Sequence, residues 1–261
     1  MLASVPARRR FSAIFFAADL PYVVKPPSIS SGFSIQFEGI EKRYGMRLAL
    51  RGLSLRVAPG EFVALVGANG SGKTTLLRIA AQLIRPSAGT IRVSGKGDEN
   101  PLAIRARTGM IAHASFLYEE LTAEENLHFF ARLYDLPQAP EACEAALERV
   151  ALDARARDLV RTFSRGMRQR LSLARAMMIA PRLLLLDEPA TGLDPEGQSW
   201  LGGELAKMHG DGCTILMSTH GRNEVQSAVT RAVRLQAGAV AEDSGERGDF
   251  RAVLAGSVAE N

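Results

Sequence analysis

Cysteine is scarce in this sequence: Cys143 and Cys213 are the only two among 261 residues. Two cysteines allow at most one bridge, which excludes a disulfide-built scaffold and points to a reducing compartment. Long apolar runs are missing too. A membrane-spanning helix needs roughly 18 or more apolar residues without interruption, and the nearest stretch, "FSAIFFAADLPYVV" (Phe11 to Val24), is broken by Asp19 and Pro21. The chain itself is therefore not expected to cross a bilayer. Nor is there an excess of one charge. Charged residues make up 23%, mixed in sign, for a net charge of +4, which excludes a charged disordered tail and a coiled coil. So small a basic excess permits contact with an anionic membrane face or nucleic acid and selects neither. What is present is an ordinary globular composition, 46% apolar, enough to bury the core of one large domain or two closely packed lobes.

Residues 1–33 stand apart. Arg8, Arg9 and Arg10 precede an apolar run without acids before Asp19, a pattern open to two readings, a targeting peptide or a plain lead-in. "KPPSIS" (Lys25 to Ser30) favours the second. Residues 1–33 are expected to form a disordered N-terminal extension.

From Ser34 the chain becomes regular. "SIQFEGI" and "LSLRVAPG" alternate with the two-residue period of half-buried strands, and "FVALVG" (Phe62 to Gly67) is a continuous apolar run of the fully buried kind. Then comes "GANGSGKTT": Gly67, Ala68, Asn69, Gly70, Ser71, Gly72, Lys73, Thr74 and Thr75. This fits the phosphate-loop pattern of glycine, four residues, and Gly-Lys-Ser/Thr, placed between a strand and the helical run "LLRIAAQLI". Glycines let successive backbone N–H groups point inward around phosphates, and the helix N-terminus adds its positive end. Lys73 is expected to reach the terminal phosphates and the Thr74 hydroxyl to bind Mg2+.

A second pattern completes the first. In "LLLLDEPATGLD" four leucines run into Asp187 and Glu188. A loop holding Mg-ATP needs a carboxylate on the metal side and a group to orient the attacking water, both at the carboxyl end of a neighbouring sheet strand. Asp187 is assigned to the metal and Glu188 to the water.

These residues carry a family resemblance. "FSRGMRQRLSLARAM" (Phe163 to Met177), "LLLLDEPATGLDP" and "TILMSTH" (Thr214 to His220) resemble, in order and spacing, the signature motif, Walker B segment, D-loop and switch histidine of the ATP-binding cassette (ABC) family. The resemblance covers about residues 34–240. It implies an α/β fold, a P-loop NTPase with an ABC-type RecA-like core, an antiparallel β subdomain and an α-helical signature subdomain at about residues 101–181, followed by a short tail, residues 241–261. It implies an ATPase using ATP and Mg2+. It also implies that Tyr44 stacks on adenine, that the signature Ser164, Arg165, Gly166 and Met167 meets the ATP of the opposite subunit through Ser164 and Gly166, that Asp194 links the two sites, and that His220 contacts the γ-phosphate. From the residues alone, Tyr44 and His220 each keep an alternative as core packing. Met167, Leu171, Ala174 and Met178 share helical spacing, so the signature opens a helix whose N-terminus can face an anion.

The sequence departs from the family pattern in two places. The signature reads Ser164-Arg165-Gly166-Met167 where the family has Ser-Gly-Gly-Gln, keeping the serine and second glycine. The Q-loop position is occupied by His113 in "MIAHASFLYEELTAEENL", which either replaces the glutamine's contact or merely packs in the loop. "TAEENLHFFARLYDL" and "EACEAALERVALDARARDL" read as two amphipathic helices of the lobe, the first capped by Thr122 with Glu125 in box spacing. Phe116, Tyr118, Phe129, Phe130 and Tyr134 are expected mostly to pack that lobe.

With one phosphate loop and one signature, the resemblance implies a homodimer, or a heterodimer with another ABC ATPase, on the cytoplasmic face of the membrane beside an integral membrane permease. No nucleic-acid partner is expected; the alternative class, a soluble cassette protein acting on nucleic acid or the ribosome, carries tandem cassettes or a long coiled coil. "AHASFLY" and overall size tilt the cargo toward haem export for cytochrome c biogenesis, with drug, lipid or polysaccharide export as the alternative.

Overall fold

In the computed structural model of the chain, residues 32–95, 100–112, 116–219, 228–245 and 253 are described. The two alternating segments form strands β1 (Ser34–Tyr44) and β2 (Arg47–Val57), an antiparallel hairpin with its tip at Gly45. "FVALV" forms β3 (Phe62–Val66), buried along its whole length, and the glycine loop leads into α1 (Lys73–Ala80). Strand β4 (Ala88–Ser94) then returns beside β1, giving a three-stranded antiparallel sheet in the order β2-β1-β4. A short helix α2 (Pro101–Ala106) and strand β5 (Thr108–Ile111) precede a helical lobe of α3 (Ala123–Leu133), α4 (Ala139–Arg149) and α5 (Arg165–Met177). The chain re-enters the body through β6 (Leu183–Asp187), α6 (Pro195–Gly210), β7 (Thr214–Ser218), β8 (Arg231–Gln236) and β9 (Ala239–Asp243). These strands complete a second sheet, β5-β6-β7-β3-β8-β9, parallel except for β9.

The four leucines of β6 are buried because the sheet is covered on both faces. Leu184 and Leu186 join a core built with α3, α4, α5 and α6, whereas Leu183 and Leu185 point to the opposite side, against β1, β2 and α1. Each such side chain contributes about 1.5–3 kcal/mol by burial. One expectation is corrected here: β6 is not the neighbour of β3, because β7 lies between them. The acids at the end of β6 therefore face the phosphate loop across the end of β7.

Helix α3 starts as its sequence dictates, with the Thr122 hydroxyl accepting from Glu125 N–H at 3.1 Å while the Glu125 carboxylate accepts from Thr122 N–H at 2.8 Å. The second lobe helix is shorter than expected. It stops at Arg149, where Ala151 takes a left-handed φ of 55° and Leu152 N–H donates back to Leu147 O at 2.9 Å.

The subdomain boundaries also shift. Ile104 of α2 packs with the β1, β2 and α1 core, and β5 pairs with β6, so residues 101–111 belong to the body. Phe33 is buried, its N–H donates to Arg182 O at 3.1 Å, and the Arg182 guanidinium lies 4.5 Å from its ring centroid; the ordered body thus starts before Ser34. At the other end β9 runs past residue 240, because Arg231 holds Asp243 through Nε at 2.8 Å and Nη2 at 2.6 Å. That fork holds the Asp243 carboxyl below the usual carboxylate range. Residues 1–31 of the expected extension, and the tail at 246–252 and 254–261, lie outside the described residues.

Candidate functional site

The loop from Gly67 to Thr75 joins β3, in the interior of the parallel sheet, to the N-terminus of α1. Two glycines are required by geometry. A Cβ on Gly67 (φ 139°) would lie 2.2 Å from Leu235 O, and one on Gly72 (φ 112°) would lie 2.7 Å from Leu50 Cδ2. The N-terminus of α1 has no side-chain cap and no acid in its first turn, which leaves its N–H groups and dipole directed at the loop's concavity. Lys73 is buried, and Nζ donates to Gly67 O at 2.6 Å and Ala68 O at 3.1 Å. Burial lowers its pKa, with Glu188 and then Asp187 pulling it partly back up. The Ser71 hydroxyl is buried with no hydrogen-bond partner among the described residues, an orphan that a phosphate oxygen would satisfy. Ala68, Asn69 and Gly70 form the loop's outer part, and Thr75 follows Thr74 on the first turn of α1.

The two patterns meet. Thr74 Oγ1 donates to Asp187 Oδ1 at 3.1 Å, joining the loop to the end of β6. Asp187 is 6% exposed. Its Oδ1 also accepts from Ser218 Oγ at 2.7 Å, and Glu188 N–H donates to Ser218 Oγ at 3.0 Å. Glu188 holds a left-handed φ of 53°, a conformation costing a non-glycine residue on the order of 1–3 kcal/mol and concentrated at functional sites. This paired oxygen set, Thr74 Oγ1 and Asp187, fits a small hard cation such as Mg2+.

The hairpin tip supplies a third side. Tyr44 is 46% exposed, so it is no core residue, and it pairs across the hairpin with Arg47. The Arg47 guanidinium lies 2.8 Å from where a Gly70 Cβ would stand, which puts the tip against the loop. The β8–β9 turn braces the loop from behind: Gly238 N–H donates to Ser71 O at 3.1 Å and Gly238 O accepts from Arg51 N–H at 2.9 Å. Ser218, Arg47 and Gly238 were not singled out by motif; the only sequence signals were the strand-ending "MS", the hairpin "YGMR" and the turn "AG".

Ser164 caps α5, its hydroxyl accepting from Met167 N–H at 3.2 Å. Met167 packs on the core, while Arg165 passes beside Gly192, whose added Cβ would lie 2.7 Å from Arg165 Nε, and Gly166 sits near Leu193. Among the described residues no hydrogen bond joins Ser164–Met167 to Gly67–Thr75 of the same chain. Asp194, exposed, caps α6, with Oδ1 accepting from Gly197 N–H at 2.8 Å. His113 and His220 lie outside the described residues.

The lobe aromatics depart from the expectation that they pack inside. Phe130 is buried, but Phe116, Tyr118 and Phe129 are 46%, 50% and 41% exposed. With Leu83, Arg105 and Arg175, Phe116 and Tyr118 line a groove of ≈ 570 Å³ between α1, α2, β5 and the lobe. The Arg175 guanidinium, almost wholly buried, lies 4.9 Å from the Phe130 centroid and 5.5 Å from that of Phe116. Its Nη2 donates to Met110 O at 2.8 Å, whereas Nε is buried without a hydrogen-bond partner among the described residues.

Residues 50–191 match the family model described as ABC transporter. The daunorubicin resistance ATP-binding protein DrrA3 of Streptomyces coeruleorubidus is 41% identical over 210 residues, covering 79% of this chain and 66% of that protein. The Nod factor export ATP-binding protein I of Paraburkholderia xenovorans (strain LB400) is 37% identical over 78% of this chain and 68% of its own length. The linearmycin resistance ATP-binding protein LnrL of Bacillus subtilis (strain 168) is 34% identical over 74% and 63%. The chain thus spans about two thirds of the length of the curated relatives it matches. A solved dimer of the ATP-binding cassette MJ0796, in a post-hydrolysis state with ADP and Pi, superposes with a TM-score of 0.74 at 26% identity, covering 82% of this chain and 99% of that one.

Proposed function

The chain belongs to the ABC transporter family and has its ATPase cassette fold, and from that premise we propose that it binds and hydrolyses ATP to power export through a separate integral membrane permease. The observation that carries this is the contact of Thr74 Oγ1 with Asp187 Oδ1 at 3.1 Å, beside buried Lys73 and one residue from Glu188. Lys73 exchanges its two carbonyl partners for phosphate oxygens, and the loop amides and the Ser71 hydroxyl take the rest. Tyr44 stacks on the adenine. Thr74 and Asp187 hold Mg2+, which when bound neutralises charge on the phosphates. Glu188 orients and accepts a proton from the attacking water. Ser164 and Gly166 of one copy approach the γ-phosphate held by another, with Arg165 between them and Met167 next in the same turn, and Asp194 carries the contact between sites. His220 contacts the γ-phosphate and His113 stands at the Q-loop position. The dimer, of two copies or of this chain with a second ABC ATPase, is supported by the lack, among the described residues, of any hydrogen bond between Ser164 and its own phosphate loop and by the dimeric cassette that the fold matches.

Among the described residues no helix is long and apolar enough to cross a membrane. The exposed aromatics of the groove support its role as the surface that receives a permease segment, with the chain at the membrane periphery. For the cargo, the haem assignment gives way: the relatives compared are named for daunorubicin resistance, linearmycin resistance and Nod factor export. Of the alternatives, export of drug-like molecules is the reading that the resistance names support. Residues 33–243 act as the cassette, with the lobe as its signature subdomain.

Glu188→Gln tests the hydrolytic assignment. ATP binding should persist while hydrolysis falls about a hundredfold to ten-thousandfold, with ATP-bound dimer accumulating in size-exclusion chromatography. Turnover close to that of the parent would refute it.

A further inference from the structure

We propose that Ser218 is a positioning residue for the acid pair, its one hydroxyl ordering Asp187 on the metal side and Glu188 on the water side. The inference rests on the roles given to those two acids above. Strand β7 is interposed between β6 and β3, and Ser218 stands in register with Asp187 at its end. The side chain is fully buried. Chemistry fixes the direction of both bonds. An amide N–H can only donate, so Ser218 Oγ accepts from Glu188 N at 3.0 Å. An ionised carboxylate can only accept, so the single hydroxyl proton goes to Asp187 Oδ1 at 2.7 Å.

Two consequences follow from this chain of bonds. Thr74 and Ser218 both donate to Oδ1, and among the described residues no hydrogen bond is donated to Oδ2. The carboxylate is thereby turned so that one oxygen faces the protein scaffold and the other is kept for a metal or its water. The Glu188 backbone, in its left-handed φ of 53°, has its N–H fixed by Ser218 Oγ and, at 3.3 Å, Ser218 O. Without the hydroxyl the Glu188 N–H keeps the longer carbonyl contact, and the direction in which the Glu188 side chain leaves the strand is less well held.

Ser218→Ala tests this on the full chain. The KM for ATP should change less than about twofold, because Lys73 and the loop amides are untouched, whereas kcat should fall about tenfold to a hundredfold, the loss of one hydrogen bond to a charged group. The Mg2+ concentration for half-maximal binding of a fluorescent ADP, read without turnover, should rise several-fold. Ser218→Thr, which keeps the hydroxyl, should restore most of both. At saturating Mg2+ in a Glu188→Gln background, Ser218→Ala should cost little further hydrolysis, since the water-side part of its effect acts through the missing carboxylate, yet it should still raise the Mg2+ midpoint. Parental kcat and Mg2+ midpoint in Ser218→Ala, or a kcat loss fully additive on Glu188→Gln, would overturn the proposal. Should Ser218→Ala fail to fold, Ser218→Cys carries the same test, parental values of both quantities again overturning it. The two readings fail separately: an active Glu188→Gln protein removes the hydrolytic assignment, and an inactive one beside a parental Ser218→Ala removes only this inference.

Discussion

The phosphate loop and the aromatic groove are both concave and both lined by arginine or lysine, but they are built in opposite ways. At the loop the groups that carry the chemistry hold short contacts to the scaffold: Lys73 on two carbonyls, Thr74 and Ser218 on one oxygen of Asp187. At the groove large side chains are left in solvent, with Phe116 and Tyr118 each about half exposed around a buried Arg175. A site that must hold reacting atoms is set by backbone and sheet register. A surface that awaits another protein leaves apolar area uncovered until the partner supplies it.

The largest expected effect lies beneath the loop. Leu185→Ala should destabilise the chain by about 2–5 kcal/mol in urea unfolding, whereas Phe129→Ala, at an exposed lobe position, should stay within about 0.5 kcal/mol. Comparable losses would mean that Phe129 is a core residue after all.

Lys73→Ala separates the two regions by ligand. Its affinity for a fluorescent ATP analogue should fall at least about tenfold, a charge-assisted contact being lost. Tyr118→Ala should leave that affinity unchanged and weaken only stimulation by the permease. A Tyr118→Ala protein with impaired nucleotide binding would break the division.

Mixing proteins asks whether the loop works alone. Lys73→Ala and Ser164→Arg chains, each inactive, should regain part of the ATPase rate together if the chain forms homodimers, because one mixed site carries neither lesion. No recovery, with mixed dimers demonstrated, would count against shared sites.

The smallest effect concerns the strap between lobe and body. Glu204 of α6, almost wholly buried, accepts from Arg149 of α4 at 2.7 Å and from Lys207 at 2.6 Å. Burial pushes its carboxyl up, but hydrogen bonds from Lys207 and Arg149 outweigh that and leave its pKa below the usual range. The strap's contribution is complete above the unfolded value of about 4.3 and is lost as pH falls through the lower folded value. The stability advantage over Glu204→Gln should therefore be flat from about pH 8 to pH 5 and shrink in more acidic solution. An advantage that grew on acidification would contradict the sign.

Where motif spacing is local, the sequence was a sufficient guide. Gly67 to Thr75, the leucines leading to Asp187, the Thr122–Glu125 box and the signature opening α5 all form as their residues require, because each depends on neighbours within a few positions. Most of the misreadings are long-range, the end of α4 being the local one. The insertion of β7 between β6 and β3, and hence the place of Ser218, is a matter of strand order, on which no local pattern bears. The end of α4 at Arg149 is set by a left-handed Ala151 that amphipathic spacing does not announce. The exposure of Phe116, Tyr118 and Phe129 depends on which elements come together around them, since an aromatic in an amphipathic run looks the same whether it faces a core or a groove.

By itself, then, the sequence determined the chemistry: a phosphate loop, two acids and a capped signature helix, each encoded in contiguous residues whose backbone geometry only glycine, serine, threonine or a carboxylate can complete. Only the tertiary structure decided what stands beside them. Arg47 at Gly70, the Gly238 turn behind Ser71 and the Ser218 hydroxyl between Asp187 and Glu188 are contacts across many residues of chain, created by sheet order and register, and the physical reason is that side chains distant in sequence acquire a common oxygen to bond only once the strands are packed.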